Sequence, residues 1–163
     1  MDTRRAIQDS YPDELAHCYG CGRLNASGLH IRSYVEGSEV VATVVPRADQ
    51  IAVPGFVYGG LIAAVLDCHC NATAAAAARD AAGGEVKRFV TASLKVDFLK
   101  PTPTGVPLEA RARATSVAGR KVVVSGEVIV EGQVRARAEL VAVELPPSMR
   151  GHGSPQAPRN PPP

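Results

Sequence analysis

The sequence predicts an α+β fold in which an antiparallel sheet of five to six strands wraps around one long central helix. One observation is a single long segment with helical spacing of its apolar residues. Another is strict apolar alternation in the segment that follows it. The last is the brevity of the connections between the C-terminal strands, which only antiparallel neighbours permit.

Residues 1–28 read as a helical or irregular lead-in ending in the turn-rich CYGCGRLNASG. Regular structure is expected over 29–145, followed by a proline-rich, disordered tail over 146–163. Leu29 to Val35 suggests a strand, Glu36-Gly37 a turn, and the Val- and Thr-rich Glu39 to Val45 its hairpin partner. Pro46 ends that strand, and PRADQIAVPGF, with two prolines and no period, is a loop. From Gly59 to about Arg79, Leu61, Ile62, Val65 and Leu66 recur at helical spacing, and the run Ala74 to Ala78 adds helix propensity until Gly83-Gly84 stops it. In TASLKVDFL the apolar Ala92, Leu94, Val96 and Phe98 alternate with Thr91, Ser93, Lys95 and Asp97, a strand with one covered face. Strands follow over Val106–Val117, Lys121–Val130 and Val134–Leu145, joined by AGR and EG turns. The helix must bury its apolar stripe, and the concave face of the sheet is the surface available. That arrangement is the hot-dog fold.

Composition narrows the function. The chain has 163 residues, which suits one domain, with 45% apolar residues and a formal net charge of +2. Nothing here favours nucleic acid as a partner. The N-terminal MDTRRAIQDSYPDELAH mixes acids and bases without an apolar run, so neither a leader nor a membrane anchor is expected there and a cytoplasmic location is. No apolar segment free of charge reaches the length that spans a bilayer. The four cysteines are read as thiols rather than as a disulfide frame.

Within VYGGLIAAVLD, two glycines open the helix and an acid sits on its apolar face. A helix start presents unsatisfied N–H groups and partial positive charge, and glycine lets a carbonyl approach closely. Gly59 and Gly60 therefore fit an oxyanion-binding role, although Gly-Gly also serves simply as a tight turn. Asp67 lies seven residues after Gly60, on the same side of the helix, with Ala63, Ala64 and Asn71 keeping that side slim. An acid there is either functional or bonded to a neighbouring Thr or Ser. Gly59 and Asp67 are about 12 Å apart along the axis, too far to touch one carbonyl group. Cooperation between them requires a second copy packed antiparallel, so a homodimer is expected, with a dimer of dimers left open.

GFVYGGLIAAVLD, TASLKVDFLKPTPTGVPL and CYGCGRLNASGL together resemble the hot-dog acyl-CoA thioesterases of the phenylacetate-pathway and human acyl-CoA thioesterase type, in segment order over roughly residues 18–145. The resemblance implies hydrolysis of an acyl-CoA thioester; no cofactor and no metal are expected. It assigns carbonyl polarisation to the Gly59 N–H, the reacting acid to Asp67 of the partner subunit, and orientation of the water or acid to Thr91, with Ser93 two residues on as second choice. Asp67 acts either as general base on water or by direct attack to give an anhydride. Tyr58 stands where the family usually has histidine, and Ala52 replaces a loop residue that is often polar, leaving Gln50 as the nearest amide. Tyr58, Gly60, Gln50 and Ser93 are thus the candidate substrate-binding residues.

Other signals are weaker. Cys18 and Cys21 have metal-like spacing, and Cys68, His69 and Cys70 follow later, with His17 and His30 flanking the first pair. Adjacent helical residues point in different directions, so metal binding is set aside, and the resemblance favours a packed turn. Arg111, Arg113, Arg135 and Arg137 alternate with alanines and read as a solvated sheet face, with Arg47, Lys87, Arg88 and Lys100 near loops equally eligible for coenzyme A phosphates. A hot-dog hydratase or dehydratase is disfavoured because Pro54, not His, follows Asp49 at the expected spacing. A non-catalytic acyl-CoA-binding or regulatory protein is the other alternative, supported by Tyr58 and Ala52.

Overall fold

The computed structural model describes residues 5–150. Six strands form one antiparallel sheet: β1 (Tyr34–Glu36), β2 (Glu39–Val44), β3 (Phe89–Phe98), β4 (Leu108–Ala118), β5 (Lys121–Val130) and β6 (Gln133–Glu144). Their order is β1-β2-β4-β5-β6-β3, and the single long helix α1 (Gly59–Ala82) connects β2, near one edge, to β3 at the other. The crossover thus carries α1 across the covered face of the sheet, as expected. Gly83, at φ +65°, takes the left-handed C-cap conformation that ends the helix. Glu131 and Gly132, both at positive φ, form the tight turn between β5 and β6.

Burial alternates along the sheet as a period of two requires. Val40 and Ala42, Leu108, Ala110 and Ala112, Val122, Val124, Val128 and Val130, and Ala136, Ala138, Leu140 and Ala142 all face α1. Many of these are alanines, and at Gly126 an added Cβ would lie 2.6 Å from the Cys70 sulfur. Small residues therefore let the helix lie close to the sheet. Arg111, Arg113 and Arg137 lie on the opposite face, where Arg111 pairs with Glu39 and Glu109 and Arg137 with Glu127, whereas Arg135 is the surplus residue of a bulge in β6 and donates to Pro101 O at 3.1 Å. By length and hydropathy α1 would pass for a membrane span, but 72% of its most apolar stretch is buried inside the fold.

Three expectations change. The first strand is shorter than Leu29 to Val35, because the preceding segment bonds elsewhere: Leu29 N–H to Tyr19 O and Ile31 N–H to Gly20 O, with His30 at φ +52°. The alternation in TASLKVDFL is broken by a β-bulge between Thr91 and Ser93. Thr91 pairs with Ala142 and Ser93 with Val141, adjacent residues whose side chains take opposite faces, so Thr91 and Ser93 do not share a face. Within the tail expected to be disordered, Pro147–Met149 form a 3₁₀ turn, and 151–163 lie outside the described residues.

The lead-in is fastened by a buried polar chain. His69, wholly buried on α1, meets Val40 O through Nε2 at 3.0 Å and Ser33 Oγ through Nδ1 at 2.9 Å. A carbonyl only accepts, so Nε2 holds the proton and Nδ1 accepts from Ser33. Gln8 completes the chain, donating to Ser33 Oγ and accepting from Ser33 N–H. Burial pushes the His69 pKa down from its ordinary 6.5 to about 4, against an opposing contribution from the Val40 bond. Because the unfolded chain takes up this proton first, the stabilisation is complete above about pH 6.5 and is lost as pH falls toward about 4. Urea titrations should show roughly 3 kcal/mol of His69-dependent loss across that window, by the difference between the wild-type chain and His69→Gln. A wild-type profile parallel to that of the variant would contradict this assignment.

Candidate active site

The first turn of α1 has no side-chain cap: Tyr58 is the N-cap, and its carbonyl accepts from Leu61 N–H at 3.0 Å and Ile62 N–H at 3.4 Å. Among the described residues, no acceptor takes the N–H of Gly59 or Gly60. These amides stand at the positive end of a 24-residue helix, where an oxygen gaining charge would be stabilised. The preceding loop is held in place by Tyr58 N–H to Gln50 O and Val57 N–H to Thr102 O, at 3.0 and 2.9 Å. The two glycines differ in their surroundings. A Cβ at Gly59 would make only ordinary contact with Phe98, whereas one at Gly60 would fall 2.3 Å from the Tyr58 ring. The close approach that glycine permits is made here by Tyr58 over Gly60.

Two turns further along, Asp67 is half-buried, at one end of the stripe Gly59, Gly60, Ala63, Ala64 and Asp67 that the fold leaves partly open. Thr91 Oγ1 donates to Asp67 Oδ1. Asn71 Nδ2 donates to Thr91 Oγ1 at 2.7 Å and to the Asp67 carbonyl at 2.9 Å, with Asp67 Oδ1 3.5 Å away. The threonine hydroxyl therefore relays: it accepts from Asn71 and donates to the carboxylate. Of the two possibilities for Asp67, the structure shows the bond to a neighbouring threonine, made at the rim of a partly open face.

Asn71 was not among the candidate residues. Its spacing four residues after Asp67 puts it on the same helix face, which was the available signal. Its Oδ1 is buried without a hydrogen-bond partner among the described residues. Ser93 does not join this group, since the bulge turns it to the other face of β3. Tyr58, Gly60 and Gln50 do meet, in the wall of a cavity of about 250 Å³ to which Tyr19, Leu29 and Arg47 also contribute. Tyr19 and Leu29 lie in the long loop before β1 and Arg47 in the loop before α1, so no local pattern marks them as neighbours. Asp67 and Thr91 are not in that wall, as the axial separation of the acid from the helix start requires. A depression of similar size on the outer face of the sheet, lined by Arg111, Arg113 and Glu127, is remote from these groups.

Of the basic residues considered for phosphate contact, Arg47 lies at the cavity and pairs with Asp49 at 3.0 Å. Lys87 pairs with Glu144, and Lys100 bonds Gln133. Arg88 is turned inward, 4.7 Å over the Tyr11 ring and 3.9 Å from the Cys21 sulfur, so it is not free for such a contact.

Comparison with known proteins agrees with this architecture. Residues 54–136 match the family model of the thioesterase superfamily. Among solved structures, a thioesterase superfamily protein from Shewanella loihica is 41% identical, with a TM-score of 0.65, over 85% of this chain and 99% of that one. The Escherichia coli PaaI protein of the phenylacetic acid degradation operon shares the fold at 17% identity and a TM-score of 0.61, over 72% of this chain and 81% of its own. A Streptococcus mutans protein solved with bound acetyl CoA does so at 19% identity and a TM-score of 0.60, over 71% of this chain and 88% of its own. No curated protein matches the chain. The match over residues 54–136 spans the helix start, Asp67, Asn71 and Thr91, and with the six-stranded sheet around α1 it makes this chain a member of the thioesterase superfamily with the hot-dog fold.

Proposed function

We propose that the protein hydrolyses acyl-CoA thioesters as a homodimer, in which Asp67 of one protomer serves a carbonyl held by the Gly59 N–H of the other. The observation that carries this reading is the orientation of Asp67 by Thr91 and Asn71 on a helix face that the protomer leaves half-open. The uncapped amides at the helix start and the acetyl CoA bound by the Streptococcus mutans relative support it. The roughly 12 Å between Gly59 and Asp67 requires the second copy. In the hydrolysis, a water oxygen bonds to the thioester carbon as Asp67 takes its proton. The negative charge gathers on the carbonyl oxygen facing the helix start. Collapse breaks the C–S bond, and the proton leaves with the coenzyme A sulfur. Direct attack by the carboxylate, giving an anhydride that water then opens, uses the same placement.

Tyr58, packed over Gly60 at the cavity wall, favours one competing reading, an acyl-CoA binder without turnover. Thiol trapping across acetyl, medium-chain, long-chain and aromatic acyl-CoA esters separates the two: free coenzyme A is expected, and binding without thiol release would support the competitor. Asp67→Asn should lower kcat/KM by roughly 10²–10⁴-fold while the fold persists. Thr91→Ala should lower kcat by roughly tenfold, the equivalent of one orienting hydrogen bond, and Thr91→Ser should restore most of it. Equal loss in both Thr91 variants would assign Thr91 to packing instead. Sedimentation analysis should return a dimer or a multiple of it, and a strictly monomeric active protein would rule out a shared site.

A further inference from the structure

The fold gathers three thiols that the sequence spreads over fifty residues. Cys18, Cys21 and Cys68 place their sulfurs within 4.8 Å of one another, and Cys18 Sγ and Cys68 Sγ are 3.8 Å apart. We propose that these three cysteines bind a thiophilic divalent ion, zinc, through three sulfurs, with the fourth position open on the side of the half-exposed Cys18.

The spacing fits the ion. Zinc–sulfur bonds of about 2.3 Å in a tetrahedron put neighbouring sulfurs roughly 3.8 Å apart. A disulfide needs about 2.0 Å and would use two of the three sulfurs, leaving the third outside. The turn around the first two cysteines is built tightly against the third. A Cβ on Gly20 would lie 2.2 Å from the Cys68 sulfur, and one on Gly22 within 2.4–2.6 Å of Cys18 and Ala16 backbone atoms. CYGCG therefore closes as a compact knuckle directly over the helix.

Charge is also provided for. Three thiolates and a divalent ion carry one net negative charge. The Arg88 guanidinium, with both terminal nitrogens 3.9 Å from the Cys21 sulfur, carries the compensating positive one. The site would brace the candidate cavity. Tyr19, between the two knuckle cysteines, and Leu29, bonded to Tyr19 O at 2.8 Å, both line that wall.

The full-length protein, loaded with zinc under reducing conditions and desalted, should retain about one ion per chain by elemental analysis. Cobalt substitution should give the intense visible bands and sulfur charge-transfer absorption of tetrahedral thiolate ligation. Cys18→Ser, at the half-exposed position, and Cys68→Ala should each abolish both signals, whereas Cys70→Ala, which removes a buried thiol outside the cluster, should keep them. Chelation should lower the melting temperature of the wild-type chain and leave that of Cys18→Ser unchanged. Failure to retain metal, retention by Cys18→Ser and Cys68→Ala alike, or a mass showing that two of the three cysteines are joined in the freshly reduced and reloaded protein would each overturn the proposal.

Discussion

The structure depends on how closely a long helix can lie against a curved sheet. An antiparallel sheet that wraps a helix has limited room at its centre, and the residues that face α1 from β4 and β6 are chiefly alanine, with Gly126 opposite Cys70 on β5. Interiors pack at near-crystalline density, so side chains even one size larger at those positions would push the helix out or strain the strands. The helix in turn presents alanines over its second half, and its larger apolar residues cluster toward its start. Each surface is shaped to the other.

From this close seating follows the placement of the polar groups. A helix lying deep on one side still has a side that the sheet does not reach. Asp67 sits on that rim, close enough to β3 for Thr91 to bond it and far enough out to stay only half-buried. His69, two residues later and on the covered side, is neutral and engaged with Ser33 and Val40 as an internal tie. Two ionisable residues within one helical turn thus take opposite parts because of which way they point. Cys68, between them, points a third way, toward the lead-in.

The fold was legible because its signals are local. Helical spacing over Leu61, Ile62, Val65 and Leu66, the alternation of the later strands and the two-residue turns each rest on a few neighbouring residues. The oxyanion candidate and the acid were legible for the same reason, both lying on one helix. What escaped was tertiary. The extended residues before β1 turn to Tyr19 and Gly20 for hydrogen bonds, which nothing in Leu29 to Val35 signals. The convergence of Cys18 and Cys21 on Cys68 spans fifty residues, and the divergence of His69 and Cys70 along the helix, which weighed against a metal site, says nothing about Cys68. The sulfur partner of Arg88 was hidden likewise, since a basic residue beside a loop ordinarily reads as solvated.

Ala92 is the unpaired residue that puts the two ends of β3 out of step. Upstream of it, Phe89 and Thr91 face the helix; downstream, Leu94 and Val96 do. One surplus residue thus lets the strand serve two masters, aiming a hydroxyl at an acid at one end and hydrocarbon at the core at the other. Without that extra residue, an uninterrupted ladder would have to choose between them. The bulge thus sets the facing of the two halves separately, so that deleting Ala92 would turn either the Thr91 hydroxyl away from Asp67 or Leu94 and Val96 away from the core.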